Sequence, residues 1–135
     1  MRRILTLAFV ALACLALPGV LAAQSDTRTT QDGVFNEAQR ARGESSFKET
    51  CAACHSSSQF KGDAFVKAWS GMTVFDLFDQ LRTTMPNDNP GGLPPATYVD
   101  VVTYLLGLNG FPRGDKALPP DEDALKRVRI TPAGS

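Results

Sequence analysis

The longest apolar run of the chain lies near its start, from Ile4 to Leu17, directly after the basic pair Arg2–Arg3. Pro18–Gly19 interrupts the run, and small residues follow at Ala22–Ala23. A basic start, an apolar middle and a small-residue exit predict a secretory signal peptide over residues 1–23. The run is shorter than the about 20 residues of a membrane-spanning helix. We therefore expect export and no stable membrane insertion after cleavage.

Three later stretches show the spacing of small and apolar positions that is typical of helices. The first covers residues 34–50, with Asp32 as its expected cap. The second covers residues 74–84 and follows the capping-box spacing of Thr73–Asp76. The third starts at Pro95 or Thr97 and runs to Leu108. The sequence therefore predicts an all-α fold with three main helices and irregular loops.

The segments between and beside these helices have no regular apolar period. Residues 24–32 are polar and are expected to form a flexible arm. Residues 56–71, with three consecutive serines at their start and scattered aromatic residues, are expected to form an irregular loop. After Phe111 we expect an extended tail, 112–135, that contains one short helix near residues 121–127 and has Leu118, Leu125 and Ile130 as candidate packing residues. The folded domain is thus predicted to cover residues 33–111.

Net charge and cysteine content exclude some kinds of partner and of cysteine chemistry. The chain has 14 basic and 14 acidic residues, and loss of Arg2 and Arg3 with the signal peptide leaves a formal charge of −2. No basic cluster is present, which argues against binding to nucleic acid. Cys14 is expected to be removed with the signal peptide. A disulfide between the two remaining cysteines would close too short a loop to stabilise the protein much.

Those two cysteines and the only histidine stand together in Cys51-Ala52-Ala53-Cys54-His55. This spacing is that of a c-type haem attachment site, in which two thiols bond the porphyrin vinyl groups and the histidine binds iron. A structural zinc site needs four ligands, of which the motif has three. A thioredoxin-like pair needs a surrounding βαβ pattern, which is not evident. We therefore predict one covalent haem c, which also completes the small core.

A methionine at the end of the second helix is the candidate for the other axial position of the iron. Pro86 excludes helical geometry for Met85 and begins a stiff, proline-rich loop. Met–His ligation raises the reduction potential of a haem, which suits electron transfer. Met72 is the rival ligand. The indole N–H of Trp69 is a candidate donor to a haem propionate, and the alternative is that Trp69 belongs to the core.

The motifs and their order resemble those of class I cytochromes c. Gly43-x-x-x-Phe47-x-x-x-Cys51-x-x-Cys54-His55 is similar to the first helix and haem motif of that family. Thr84-Met85-Pro86 resembles its methionine-ligand loop, and Val101–Leu105 resembles its last helix. In that helix an aromatic residue, here Tyr104, crosses the glycine of the first helix. The resemblance implies a small cytochrome c fold with His55 and Met85 as iron ligands.

A narrower resemblance and one departure refine this interpretation. Met85–Pro86, Pro90–Leu93 and Asn109–Pro112 resemble the monohaem cytochromes found with periplasmic quinoprotein (PQQ) dehydrogenases. Many class I members carry a proline soon after the histidine, and its carbonyl orients the imidazole. This chain has no proline between His55 and Pro86. Since metal-bound histidines nearly always donate their other N–H, another carbonyl of residues 56–71 is expected to accept it.

The resemblance implies a periplasmic electron carrier and not an enzyme in itself, because the only histidine is assigned to iron. A periplasmic dehydrogenase would be the donor, and an oxidase or another cytochrome the acceptor. The partner is expected to dock at the haem edge near Ala52, Ala53 and the loop after Met85. One alternative is a permanent dehydrogenase subunit that uses residues 112–135 as a docking arm. Another is a haem-based sensor or gas binder in which Met85 is displaced.

Overall fold

The computed structural model describes residues 27–133. At its centre, helix α1 (Glu37–Ser46) packs against helix α4 (Pro95–Leu108). The helices meet at Gly43, where an added Cβ atom would lie 1.8 Å from the carbonyl oxygen of Asp100 and 3.0 Å from the Cβ atom of Tyr104. Because Gly43 has no side chain, the two backbones can approach this closely.

Helix α1 begins at Glu37, and its cap is Asn36 rather than the predicted Asp32. The side-chain oxygen of Asn36 accepts the N–H of Gln39 at 2.9 Å. The carboxylate of Asp32 has a different role, since it accepts the N–H of Thr29 at 2.6 Å in a turn that precedes the helix. The predicted start at residue 34 was therefore wrong, because two acceptors suited to capping lie close together and only one caps α1.

Helix α3 (Val74–Thr84) has the bounds predicted from the sequence, and α4 ends at Leu108 as predicted and begins at Pro95, one of its two predicted starts. The predicted capping box is present, because Thr73 Oγ1 accepts the N–H of Asp76 at 3.2 Å and the Asp76 carboxylate accepts the N–H of Thr73 at 2.7 Å. Helix α4 begins with Pro95, which lacks an N–H at a position where helices leave that group unpaired. The apolar face of α3 packs against α4.

The segment between His55 and α3 is more regular than predicted. Ser57–Phe60 forms a 3-10 turn, and Asp63–Trp69 forms a short helix, α2. The expectation of an irregular loop over residues 56–71 was wrong. Only Phe65 is buried in the seven residues of α2, which is too few to produce a visible apolar period.

The N-terminal part of the described chain is ordered by pairing with the C-terminal part. Strand β1 (Arg28–Thr29) pairs in parallel with strand β2 (Val128–Arg129). A 3-10 turn, Thr30–Asp32, follows β1, and Thr30 is fully buried. The described part of residues 24–32 thus differs from the flexible arm expected there. Backbone pairing orders a polar segment without needing an apolar face.

Residues after Phe111 contribute to the core. Leu118, Leu125 and Ile130 are buried, and helix α5 (Glu122–Lys126) lies within the short helix predicted near residues 121–127. The side-chain amide of Gln39 donates to the carbonyl of Leu118 at 2.8 Å and accepts its N–H at 2.8 Å. The described part of residues 112–135 is therefore packed onto the helices through the three candidate packing residues, and the expectation that it would be extended was wrong.

The fold is mainly helical, as predicted, and one buried apolar cluster joins the residues that flank α1, the helices α3 and α4, and the C-terminal segment among the described residues. Its largest fully buried side chains include Phe35, Leu77, Leu105, Leu106, Leu125 and Ile130. Between residues 27 and 133, no helix has both the length and the apolar character needed to cross a membrane. The predicted signal peptide, with Cys14, lies outside the described residues.

Gly43→Ala is expected to lower the free energy of unfolding by about 3 kcal/mol, at the upper end of the usual cost of an overpacked core. The new methyl group would collide with a backbone carbonyl that cannot rotate away. Urea unfolding followed by circular dichroism measures the change.

Gly107→Ala is the matched control, because its methyl group would meet the movable side chain of Arg40, 2.7 Å from Cδ. Gly107→Ala should lower the free energy of unfolding far less. The Arg40 side chain can move away, and helix propensity favours alanine over glycine by about 1 kcal/mol. Equal stabilities of the two variants would contradict this account of the helix contact.

Candidate functional site

The segment Cys51–His55 forms a tight turn that follows α1 and one turn of π-helix. A turn of π-helix, Phe47–Cys51, first continues α1, and the N–H of Ala52 donates to the Phe47 carbonyl at 2.9 Å. The N–H groups of Cys54 and His55 then both donate to the carbonyl of Cys51, at 3.1 and 2.9 Å. Single turns of π-helix are rare and frequently mark functional sites. The turn brings the two cysteines and the histidine together at the end of one helix.

The two thiols of this turn are not joined in a disulfide. Cys51 is half-buried and Cys54 is exposed. Burial raises the pKa of the Cys51 thiol, so this group is protonated at neutral pH. Because no disulfide joins them, both sulfur atoms are available to bond a ligand that enters beside the turn.

A cavity of about 860 Å³ lies next to the turn. This volume is within the range of protein sites for small molecules and cofactors. Side chains from the π-helical turn, α2, α3 and α4 contribute to its largely apolar wall, among them Phe47, Phe65, Leu77, Leu81, Val101 and Leu105. Such a wall excludes water and accommodates a large apolar ring.

The predicted site residues all line this cavity: Cys51, Cys54, His55, Trp69 and Met85. Trp69 and Met85 are distant in sequence from the segment Cys51–His55, so the fold brings three separate segments together. Met72, the rival ligand, is not part of the cavity wall, and 40% of its surface is exposed. The arrangement therefore favours Met85 over Met72 as the methionine that can reach a bound group.

His55 is held by two neighbours in the 3-10 turn that follows it. Its Nδ1 atom lies 3.3 Å from Oε1 of Gln59. Its ring packs edge-on against Phe60, with 5.4 Å between the ring centroids. The contact with Gln59 was not foreseen from the sequence, although its position four residues after His55 is a spacing at which side chains on one turn meet.

Met85 lies where α3 ends. Its N–H donates to the carbonyl of Leu81 at 2.8 Å, and its own backbone is extended, as the following proline predicts. The hydroxyl of Tyr98, in α4, donates to the carbonyl of Met85 at 2.7 Å and accepts the N–H of Leu93 at 3.4 Å. Tyr98 thus connects both ends of the loop 85–93 to the central helix. This role was also not foreseen from the sequence.

Trp69 lies in the cavity wall at the end of α2, where its ring packs near Phe65 with 6.4 Å between centroids. The cavity has a polar margin at Asn87 and Asp88 from the proline-rich loop. Trp69 is partly exposed, so its indole lies where the apolar wall meets solvent. The contact between Trp69 and a propionate stays a prediction.

The residues present fit a covalently attached haem. Two thiols, an imidazole and a thioether face one apolar cavity of suitable size. A haem brings four ring nitrogens of its own, so the protein supplies only the axial ligands and the attachment points. Within residues 27–133, no cluster of three or more His, Cys, Asp or Glu side chains is arranged to hold a bare metal ion.

Residues 38–105, half of the 135-residue chain, match a protein-family model described as cytochrome c oxidase, cbb3-type, subunit III. The matched region begins in α1 and ends in α4, so it contains the segment Cys51–His55, Met85 and Tyr98. No curated protein and no solved structure matches the chain.

Tyr98→Phe is expected to lower the free energy of unfolding by about 1 kcal/mol, the net value of a typical hydrogen bond. The carbonyl of Met85 and the N–H of Leu93 would lose their shared partner, so the Leu93 amide should exchange with solvent faster. Amide hydrogen exchange measured by NMR tests both effects.

Tyr104→Phe is the control, because Tyr104 packs on Phe47 and its hydroxyl forms no hydrogen bond to another residue of the described chain. If both variants change the exchange of Leu93 equally, Tyr98 does not secure the loop.

Proposed function

The chain belongs to the family of monohaem class I cytochromes c, which transfer electrons through a haem, and we propose from this premise that it is a periplasmic electron carrier. Its haem c would be covalently bound, with His55 and Met85 as the axial ligands. When bound, the haem supplies an iron centre that gains and loses one electron. The protein itself binds the group, keeps water from it and limits movement when its charge changes.

One observation carries the proposal: the thiols of Cys51 and Cys54, the imidazole of His55 and the sulfur of Met85 line the same apolar cavity. The thiols would attach the porphyrin through thioether bonds. The imidazole and the thioether would occupy both axial positions, which favours electron transfer over ligand binding and raises the reduction potential.

The exposed residues of the turn support docking at the haem edge. Ala52, Ala53 and Cys54 are exposed, small and uncharged, which suits a transient interface with a redox partner. The proposed donor is a periplasmic dehydrogenase, and the proposed acceptor is an oxidase or another cytochrome. The resemblance of the loop after Met85 to cytochromes found with quinoprotein dehydrogenases supports this choice of donor.

Two features favour a free carrier over the other functions. A permanent dehydrogenase subunit would need a docking arm after Phe111, whereas Leu118 and Ile130 of that segment are buried in the chain's own core. A gas sensor would need a displaceable ligand. The backbone of Met85 is instead held by the hydrogen bond from the Tyr98 hydroxyl to the Met85 carbonyl.

Covalent attachment predicts that the exported protein has the mass of the processed chain plus one haem. Cys51→Ala and Cys54→Ala should each retain haem through one thioether bond, and the double variant should lose haem in acidified organic solvent. Mass spectrometry and haem staining after denaturing electrophoresis measure this. An exported wild-type chain with no added mass would contradict the proposed function.

Axial ligation predicts that Met85→Ala removes the long-wavelength absorption band of methionine-bound ferric haem. The reduced variant should bind carbon monoxide readily, because one axial position is open, and its reduction potential should fall. Visible spectroscopy and a redox titration measure these changes.

Met72→Ala is the matched control and should behave as wild type, since Met72 is exposed and lies outside the cavity wall. If Met72→Ala, and not Met85→Ala, changes the spectrum, the assignment of the ligand is wrong.

A further inference from the structure

The contact between His55 and Gln59 determines which imidazole nitrogen carries the hydrogen. Nδ1 of His55 lies 3.3 Å from Oε1 of Gln59. An amide oxygen only accepts hydrogen bonds, so Nδ1 is the donor in this contact. Nε2 then keeps its lone pair, which a histidine must offer to bind a metal. The contact therefore selects the tautomer that iron ligation requires.

The turn that carries Gln59 is itself held from two sides. The N–H of Gln59 donates to the carbonyl of Ser56 at 3.0 Å. Asn109, at the end of α4, donates to the carbonyl of Phe60 at 2.8 Å and accepts the N–H of Gly62 at 2.8 Å. These bonds tie the turn to the central helix and fix the backbone from which the Gln59 side chain reaches His55.

A histidine that binds a metal nearly always donates its other N–H to an acceptor, and that bond makes the ring a better electron donor. Many relatives are expected to use a proline carbonyl, which this chain lacks between His55 and Pro86. The acceptor that the structure places at Nδ1 is a side-chain carbonyl. A side chain, unlike a backbone carbonyl, can be replaced without altering the chain path.

We propose that Gln59 is the positioning residue for the axial histidine, and that its hydrogen bond to His55 tunes the reduction potential of the haem. This inference rests on the proposed function. Greater electron donation by the imidazole stabilises ferric iron more than ferrous iron, so the bond lowers the potential. Gln59 acts through His55 and does not touch the iron.

The test uses the haem-loaded full chain. Gln59→Leu removes the acceptor and is expected to raise the reduction potential. The shift should correspond to about a fivefold change in the equilibrium constant with a reference redox couple, the size of one net hydrogen bond. Gln59→Glu restores an acceptor and makes it anionic, so it is expected to lower the potential below that of wild type.

Ser58→Glu is the matched control for charge, because it adds the same charge one residue earlier, at an exposed side chain that contacts Ser56 rather than His55. Its effect on the reduction potential should be smaller, because its carboxylate would have no contact with the imidazole. Equal shifts for Gln59→Glu and Ser58→Glu would overturn the proposal.

A second measurement follows the hydrogen bond directly. His55 is the only histidine, so ¹⁵N-histidine labelling reports on one ring. In the reduced protein the Nδ1 hydrogen should exchange slowly in wild type and in Gln59→Glu, and faster in Gln59→Leu. Unchanged potential and exchange in a Gln59→Leu protein that retains its haem would overturn the role of Gln59 alone. A wild-type protein without haem would instead overturn the proposed function.

Discussion

The close approach of α1 and α4 at Gly43 is the contact on which the rest of the structure depends. A Cβ atom there would lie 1.8 Å from the Asp100 carbonyl oxygen, far closer than van der Waals contact allows. The carboxylate of Asp100 also accepts two hydrogen bonds from the guanidinium of Arg42, at 2.8 and 3.1 Å. Such a bidentate pair sets the orientation of the two helices as well as their distance. The end of α1, and with it the segment Cys51–His55, is positioned relative to α4 by this contact.

Helix α4 then organises the two sides of the cavity that carry the candidate iron ligands. Tyr98 secures the loop that begins at Met85, and Asn109 secures the turn that carries Gln59. One helix therefore holds the two segments that carry or position the candidate ligands. The cavity between them interrupts the core, and a haem bound there would fill it with apolar contacts.

Local rules were sufficient to predict much of this from the sequence. The capping box at Thr73–Asp76 and Pro95 at the first helical position mark where α3 and α4 begin, because both features act within one turn of backbone. Pro86 predicts the extended backbone of Met85 for the same reason. The motif Cys51–His55 indicates its chemistry through spacing alone, and its order with Gly43 and Met85 indicates the family.

Only the tertiary structure decided the features that depend on residues far apart in the chain. The polar segment at Thr29–Thr30 is ordered because β1 pairs with β2, about a hundred residues later. The segment after Phe111 is packed because Gln39 pairs with the backbone of Leu118. Polar side chains and edge strands have many possible partners, and sequence spacing does not specify which one lies within hydrogen-bonding distance. The sequence by itself thus determined where α3 and α4 lie and the spacing of the motif Cys51–His55, and the folded chain decided how that motif is supported.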